Sequence, residues 1–213
     1  MNVSEEAKKW ALDAEKLIGE LKRRNMEGYF CATAAEAQEK VLSLIPEGSS
    51  VGWGGSVTLS ECGLPEALGE RKLTLLDRSL CKTPEETAAI YQKMFSADYF
   101  LTSTNAITQK GELVNTDGRA NRVAMLCYGP EKVIVVAGMN KVVPNVEAGM
   151  ERIRSIAAPK NALRLNRNTP CAKIGRCADC LSPDCICSQT VVTRFSSVPR
   201  RICVILVGES LGF

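Results

Sequence analysis

Apolar residues Trp10, Ala11, Ala14, Ile18 and Leu21 recur at mostly three- to four-residue spacing near the start of the chain. Acidic Glu5-Glu6 precede them and basic Lys22-Arg23-Arg24 follow, which predicts a helix over residues 4–25. A short apolar run at 29–32 predicts a strand, and 34–44 a second helix that stops at Pro46-Glu47-Gly48. Strand patterns follow at 50–53 and 73–76. A helix at 84–95 carries Pro84 in its first turn, where the missing N–H does no harm. Residues 98–102 and 112–115 predict strands, and 119–127 a helix. The run 132–137, Lys-Val-Ile-Val-Val-Ala, is the strongest core strand of the chain. A long amphipathic helix is expected over 145–158, with strands at 190–195 and 201–207. Strands alternating with helices predict an α/β fold: a mainly parallel sheet with helices on both faces. The pattern predicts a single domain over 1–213, without internal repeats.

Two interruptions in this pattern carry candidate chemistry. The first is Val51-Gly52-Trp53-Gly54-Gly55-Ser56-Val57-Thr58-Leu59, where glycines follow a strand and precede a helix that Ser56 is placed to cap. Glycine lets backbone N–H groups approach an anion, and carboxyl ends of parallel strands are where ligands collect. The segment lacks both the dinucleotide fingerprint and the Gly-Lys-Ser/Thr ending of a phosphate loop, and a tight strand-to-helix turn needs the same glycines. The second brings Thr102-Ser103-Thr104-Asn105 and Asn115-Thr116-Asp117-Gly118 to strand ends, followed by Arg119, Asn121 and Arg122. Asp117 suits a turn or helix cap, or acid–base work, and Arg122 suits anion binding. Lys141 follows the strongest strand. Lysines are mostly solvated, so an exposed side chain is expected there, against an amine presented to the same crevice.

Composition changes the picture at the C-terminal end. The chain has ten cysteines and no histidine, so imidazole chemistry is excluded and any metal must be held by thiolates and oxygens. Five thiols crowd into Cys171, Cys177, Cys180, Cys185 and Cys187, in a loop over 168–189 that has too little apolar content to build a core. One C-x2-C knuckle suits an iron–sulfur cluster at least as well as a zinc ribbon, which has two. Lys160, Arg164, Arg167, Lys173 and Arg176 lead into the run and are expected to lower its thiol pKa values. Free thiols or disulfides are the alternatives. The other five cysteines suggest buried, inert side chains. A net charge of +3 is too mild to argue for nucleic acid, and no apolar run approaches the roughly 18 residues of a membrane span. No apolar leader opens the sequence, so the expected location is cytoplasmic.

Several of these stretches together resemble the LUD-domain family of lactate-utilisation proteins. They are 50–59, 101–105, 111–118, 121–123, 128–130, 133–141, 152–166, Thr169-Pro170-Cys171, Cys177, Ser182-Pro183-Asp184 and 204–209. The resemblance implies a fold similar to the NagB/RpiA/CoA-transferase superfamily, with a ligand crevice at the strand ends and the cysteine loop inserted before the last strands. It implies that Gly52, Gly54, Gly55, Ser56, Asp117 and Gly118 line the ligand site. The residue pattern adds Thr58, Asn105, Asn121, Arg122 and Lys141 as ligand candidates, with Asp117 as the catalytic candidate. In the family the position of Cys185 is commonly arginine, which sets that thiol aside and leaves Cys171, Cys177, Cys180 and Cys187 for an iron–sulfur cluster or zinc. The implied function is a subunit of an iron–sulfur-linked L-lactate oxidation system that binds a small anionic metabolite. An isomerase, ligase or acyl-transferase acting on a phosphorylated or CoA-linked substrate is the enzyme alternative, and a regulatory or scaffold subunit the third. Iron–sulfur partner proteins are expected, a homo-oligomer is compatible, and neither nucleic acid nor membrane is expected as partner.

Overall fold

The computed structural model describes residues 4–213. Ser4 accepts a hydrogen bond from the Ala7 N–H and starts helix α1 (Glu5–Arg23), which buries Ala14, Leu17 and Leu21. In chain order there follow β1 (Glu27–Cys31), α2 (Ala34–Leu44), β2 (Ser50–Trp53), α3 (Val57–Glu61), α4 (Leu64–Gly69), β3 (Thr74–Leu76), α5 (Pro84–Met94) and β4 (Tyr99–Thr102). The second half contains β5 (Ala106–Thr108), β6 (Leu113–Asp117), α6 (Asn121–Cys127), β7 (Lys132–Gly138), β8 (Val142–Val143), α7 (Val146–Arg152), α8 (Ala158–Arg164), α9 (Pro170–Ile174), β9 (Gln189–Thr193) and β10 (Ile202–Val207).

Six strands form one sheet in the order β1-β10-β7-β4-β2-β3, and every neighbouring pair is parallel. Side chains alternate across a strand, so the apolar run of β7 divides by parity. Val133 and Val135 join Phe100, Val204 and Leu206 beneath α1, while Ile134 and Val136 join Leu101, Ile205 and Val207 beneath α2 and α4. Both faces are covered, and β10 is buried along its whole length. This is the expected parallel α/β sheet.

The second sheet, in the order β8-β5-β6-β9, is mixed, and the sequence pattern did not reveal it. Its strands β5 and β8 are three and two residues long, too short for a period to register. The helix expected over 145–158 also differs. It runs on through a π-helical turn at Ile153–Ala157 into α8, with Pro159 in the first turn of α8. Proline clashes with the preceding turn of a regular helix, and the wider turn carries the rod past it instead of ending it.

Candidate functional site

Four neighbouring strands of the main sheet end at one crevice. β2 runs into Gly54-Gly55-Ser56, β4 into Ser103-Thr104-Asn105, β7 towards Lys141, and β3 towards Arg78. The chain passes outward from β2 to β3 and returns on the other side of β2 as β4, which makes this the switch point where a parallel sheet opens a cleft. The second sheet supplies the facing wall through Thr116, Asp117 and Gly118. The volume is about 620 Å³.

The polar wall is built around Arg122. Its Nε and Nη2 lie 2.9 and 2.7 Å from Asp117 Oδ1, and Nη2 also donates to Asn105 Oδ1 at 2.9 Å. Nη1 donates to the Ser103 carbonyl at 3.0 Å and to Asn115 Oδ1. The guanidinium is therefore consumed within the protein and positions the loops. Asp117 uses its other oxygen to accept from the Val123 N–H at 2.9 Å, the geometry of a helix cap. Asn121 donates to the Tyr91 hydroxyl at 3.1 Å. Ala120, in the same turn, holds φ +57°, a left-handed conformation that costs an alanine roughly 1 kcal/mol.

Lys141 corrects the expectation of an exposed side chain. It is buried, and its amine donates to Thr58 Oγ1 at 2.8 Å and Ser103 Oγ at 2.9 Å. Desolvation, reinforced by the nearby Arg152 and Arg122 charges, brings its pKa down from 10.5 to about 7. The 3-10 turn Met139–Lys141 after β7 folds the amine inward, a tertiary effect that lysine's preference for water does not anticipate. Gly52 stays inside β2, where a Cβ would lie 2.7 Å from Met94 Cγ, and it does not face the crevice. Gly54, Gly55, Ser56, Thr58, Asn105, Gly118, Asn121, Arg122 and Lys141 all line the crevice.

Six cationic side chains line the crevice against two acids. Asp117 pairs with Arg122, and Asp184 with Arg167 at 3.5 Å. Among the described residues, no ion pair includes Arg78, Arg119, Lys141 or Arg164. Arg78 was missed in the sequence although it follows a strand end, the placement that marked Lys141. Arg164 precedes the cysteine run in the sequence. It faces the crevice because the rod continues beyond Pro159. Burial, then the charge of Arg78, lowers the Arg164 pKa, so the two guanidiniums share one neighbourhood.

The cysteine loop, remote in sequence, forms part of the same wall through Pro183, Asp184, Cys185, Ile186 and Ser188. Its backbone rests on the Asp-Gly turn: the Ser188 N–H donates to the Asp117 carbonyl at 2.9 Å, and a Cβ on Gly118 would lie 3.1 Å from Ile186 Cα. β9 then pairs with β6, Gln189 opposite Asp117. Among the described residues, no three Cys, Asp or Glu side chains converge as a metal-ligand group. The basic residues leading into the run do not lower the Cys187 thiol. Burial, with Cys185, Cys177 and Cys171 close by, pushes it up to about 12. Of the remaining cysteines Cys31, Cys62 and Cys203 are buried as expected, but Cys81 is half-buried and Cys127 exposed.

A family model for the LUD domain matches residues 14–207. The chain belongs to the LUD-domain family. A crystal structure of a DUF162 family protein from Deinococcus radiodurans is 17% identical and has a TM-score of 0.54. The match covers 97% of this LUD chain and 99% of that one, a likeness of fold. Ribose 5 phosphate isomerase A from Neisseria gonorrhoeae is 18% identical with a TM-score of 0.36, covering 54% of this chain and 56% of that one. A D-ribose-5-phosphate isomerase in complex with phospho-erythronic acid is 15% identical with a TM-score of 0.35, covering 50% and 52%. No curated protein matches the chain. No helix among the described residues is long and apolar enough to cross a membrane.

Proposed function

We propose that this LUD-domain protein binds a small anionic metabolite in the strand-end crevice, as part of lactate utilisation. The observation that carries the reading is the charge balance of the lining. Both acids are already paired, and Arg78, Arg119, Lys141 and Arg164 face a shared space without a carboxylate partner. Like charges gathered in a partly desolvated cleft repel one another, and an anion relieves that cost when it binds. The volume, about 620 Å³, is in the range of ordinary small-molecule sites and exceeds what lactate alone needs, so it has room for a phosphorylated ligand or for the acyl end of a CoA-linked one.

Thermal unfolding with lactate, pyruvate, a sugar phosphate or CoA tests this. A ligand at a hundred times its Kd stabilises by about 2.7 kcal/mol, which for a chain of this size raises Tm by roughly 5–10 °C. The paired substitution Arg78→Ala and Arg164→Ala should remove most of that rise. If none of the four anions moves Tm, the anion-site reading falls and a scaffold role takes its place.

The proposed link to iron–sulfur chemistry rests on the cysteine loop. Among the described residues the thiols do not present a preformed ligand group. Metal binding commonly supplies the ordering energy that a loop without a core lacks. Anaerobic purification with iron, sulfide and zinc analysis decides it: visible absorbance with iron and sulfide supports the cluster, and a colourless, metal-free protein removes it.

A further inference from the structure

Lys141 is placed as a reactive amine. It sits in the crevice wall with 3% of its surface exposed, and its nitrogen touches two hydroxyls, Thr58 Oγ1 and Ser103 Oγ. Among the described residues no carboxylate stands within ion-pair distance of it. The charged and titratable groups around it are Arg152 on α7, Arg122 on α6, and Glu61 and Cys62 at the end of α3. Arg152 is held in place by donating to the carbonyls of Asn105 at 2.7 Å and Asn140 at 3.2 Å. Two fixed guanidiniums beside a desolvated amine disfavour its charged form, which is one of the ways proteins make a lysine nucleophilic. Burying an amine without a counter-charge costs stability that an apolar side chain of similar length does not, and two hydrogen bonds to neutral hydroxyls offset only part of that cost.

We propose that Lys141 condenses with the carbonyl carbon of an anionic ketone held in the crevice, forming an imine. The proposal rests on the anion-site reading and adds the reacting group. The Arg78 and Arg164 guanidiniums, unpaired and close enough to affect one another, take the carboxylate or phosphate of the ligand. The amine attacks the carbonyl carbon, so an N–C bond forms and the carbonyl oxygen becomes a hydroxyl. The Thr58 and Ser103 hydroxyls relay the two protons that nitrogen loses: the first makes the hydroxyl, and the second lets it depart as water. No oxidant or reductant is needed. The resulting imine, once protonated, draws electrons from the adjacent carbon, the activation that isomerisation or carbon–carbon cleavage of such a ketone requires. The shared chemistry is a ketone bearing an anionic group, and two compounds separate its sources: pyruvate for a 2-oxo carboxylate, dihydroxyacetone phosphate for a phosphorylated ketone.

The test incubates the full chain with each compound and adds sodium borohydride. Intact-mass and peptide analysis then locate any adduct, and Tm is followed in parallel without reductant. One reduced adduct per chain, mapped to Lys141 and absent in Lys141→Met, is the expected result. Its initial rate of formation should rise about ten-fold between about pH 6 and about pH 8 as the amine loses its proton. Adducts with one compound only assign the anion as carboxylate or phosphate. Adducts scattered over surface lysines, or undiminished in Lys141→Met, overturn the proposal. A Tm rise without an adduct overturns imine formation and leaves the anion site standing. Neither a rise nor an adduct removes both. Because the adduct is mapped in the unsubstituted protein, the conclusion does not depend on the variant folding.

Discussion

At the residue scale the folded amine of Lys141 takes its proton near pH 7, against 10.5 when exposed. Between those values the unfolded chain holds the extra proton, so the Lys141 contribution makes stability rise with pH, by at most about 1.4 kcal/mol per pH unit. Below pH 7 both states are protonated, the slope vanishes and the burial cost is at its full size. Lys141→Met removes that cost and should be the more stable protein at pH 7. Its advantage in urea-unfolding free energy should then shrink as pH rises towards 10. Taking the difference between the two proteins cancels the titration of the other groups. An advantage that stays constant across this range would show that the amine is not desolvated as the geometry requires.

At the scale of elements the crevice depends on a glycine expected in the ligand set, and its structural purpose is to let two segments meet. Gly118 lets the cysteine loop lie against the β6–α6 turn, since a side chain there would meet Ile186 Cα at 3.1 Å. Gly118→Ala should push the 183–188 wall outward. The expected outcome is ligand affinity weakened about ten-fold, or about 1.4 kcal/mol, with unfolding free energy changed by less than about 1.5 kcal/mol. A loss of stability with affinity unchanged would mean that the turn is a folding element alone. The same scale shows what the sequence could reveal. Strand β7 was legible because burial on both faces leaves an uninterrupted apolar run. Strands β5 and β8 were not, because two or three residues carry no period and gain their partners only when the second sheet assembles. The helix expected to end at residue 158 runs on to Arg164, and the π turn that carries it past Pro159 left no local signal. Gly54, Gly55 and Asn105 were legible as strand-end residues. The inward turn of Lys141, and the meeting of the cysteine loop with the Asp-Gly turn, come from contacts between segments far apart in the chain.

At the scale of the whole molecule the crevice is a seam. One wall is the carboxyl edge of the parallel sheet, anchored by β7 and β10 in two apolar cores. The other is the small mixed sheet with the cysteine loop, backed by a much smaller cluster of Ala106, Val114, Val143, Ile153 and Ala158. Local opening is easiest where few apolar groups are buried, so the second wall should open more often than the first. An anion that bridges Lys141 and Arg78 on one side and Arg119 and Arg164 on the other closes the seam and couples the two. Hydrogen exchange on adding pyruvate or dihydroxyacetone phosphate should therefore slow in 183–193 and 116–122 as well as in 54–60. A ligand at ten to a hundred times its Kd should slow it about ten- to a hundred-fold. Amides of β7 and β10, which exchange through larger openings, should change only as much as global stability does. Protection confined to 54–60 would place the ligand on the glycine loop alone and make the second wall a bystander, whatever the cysteines hold.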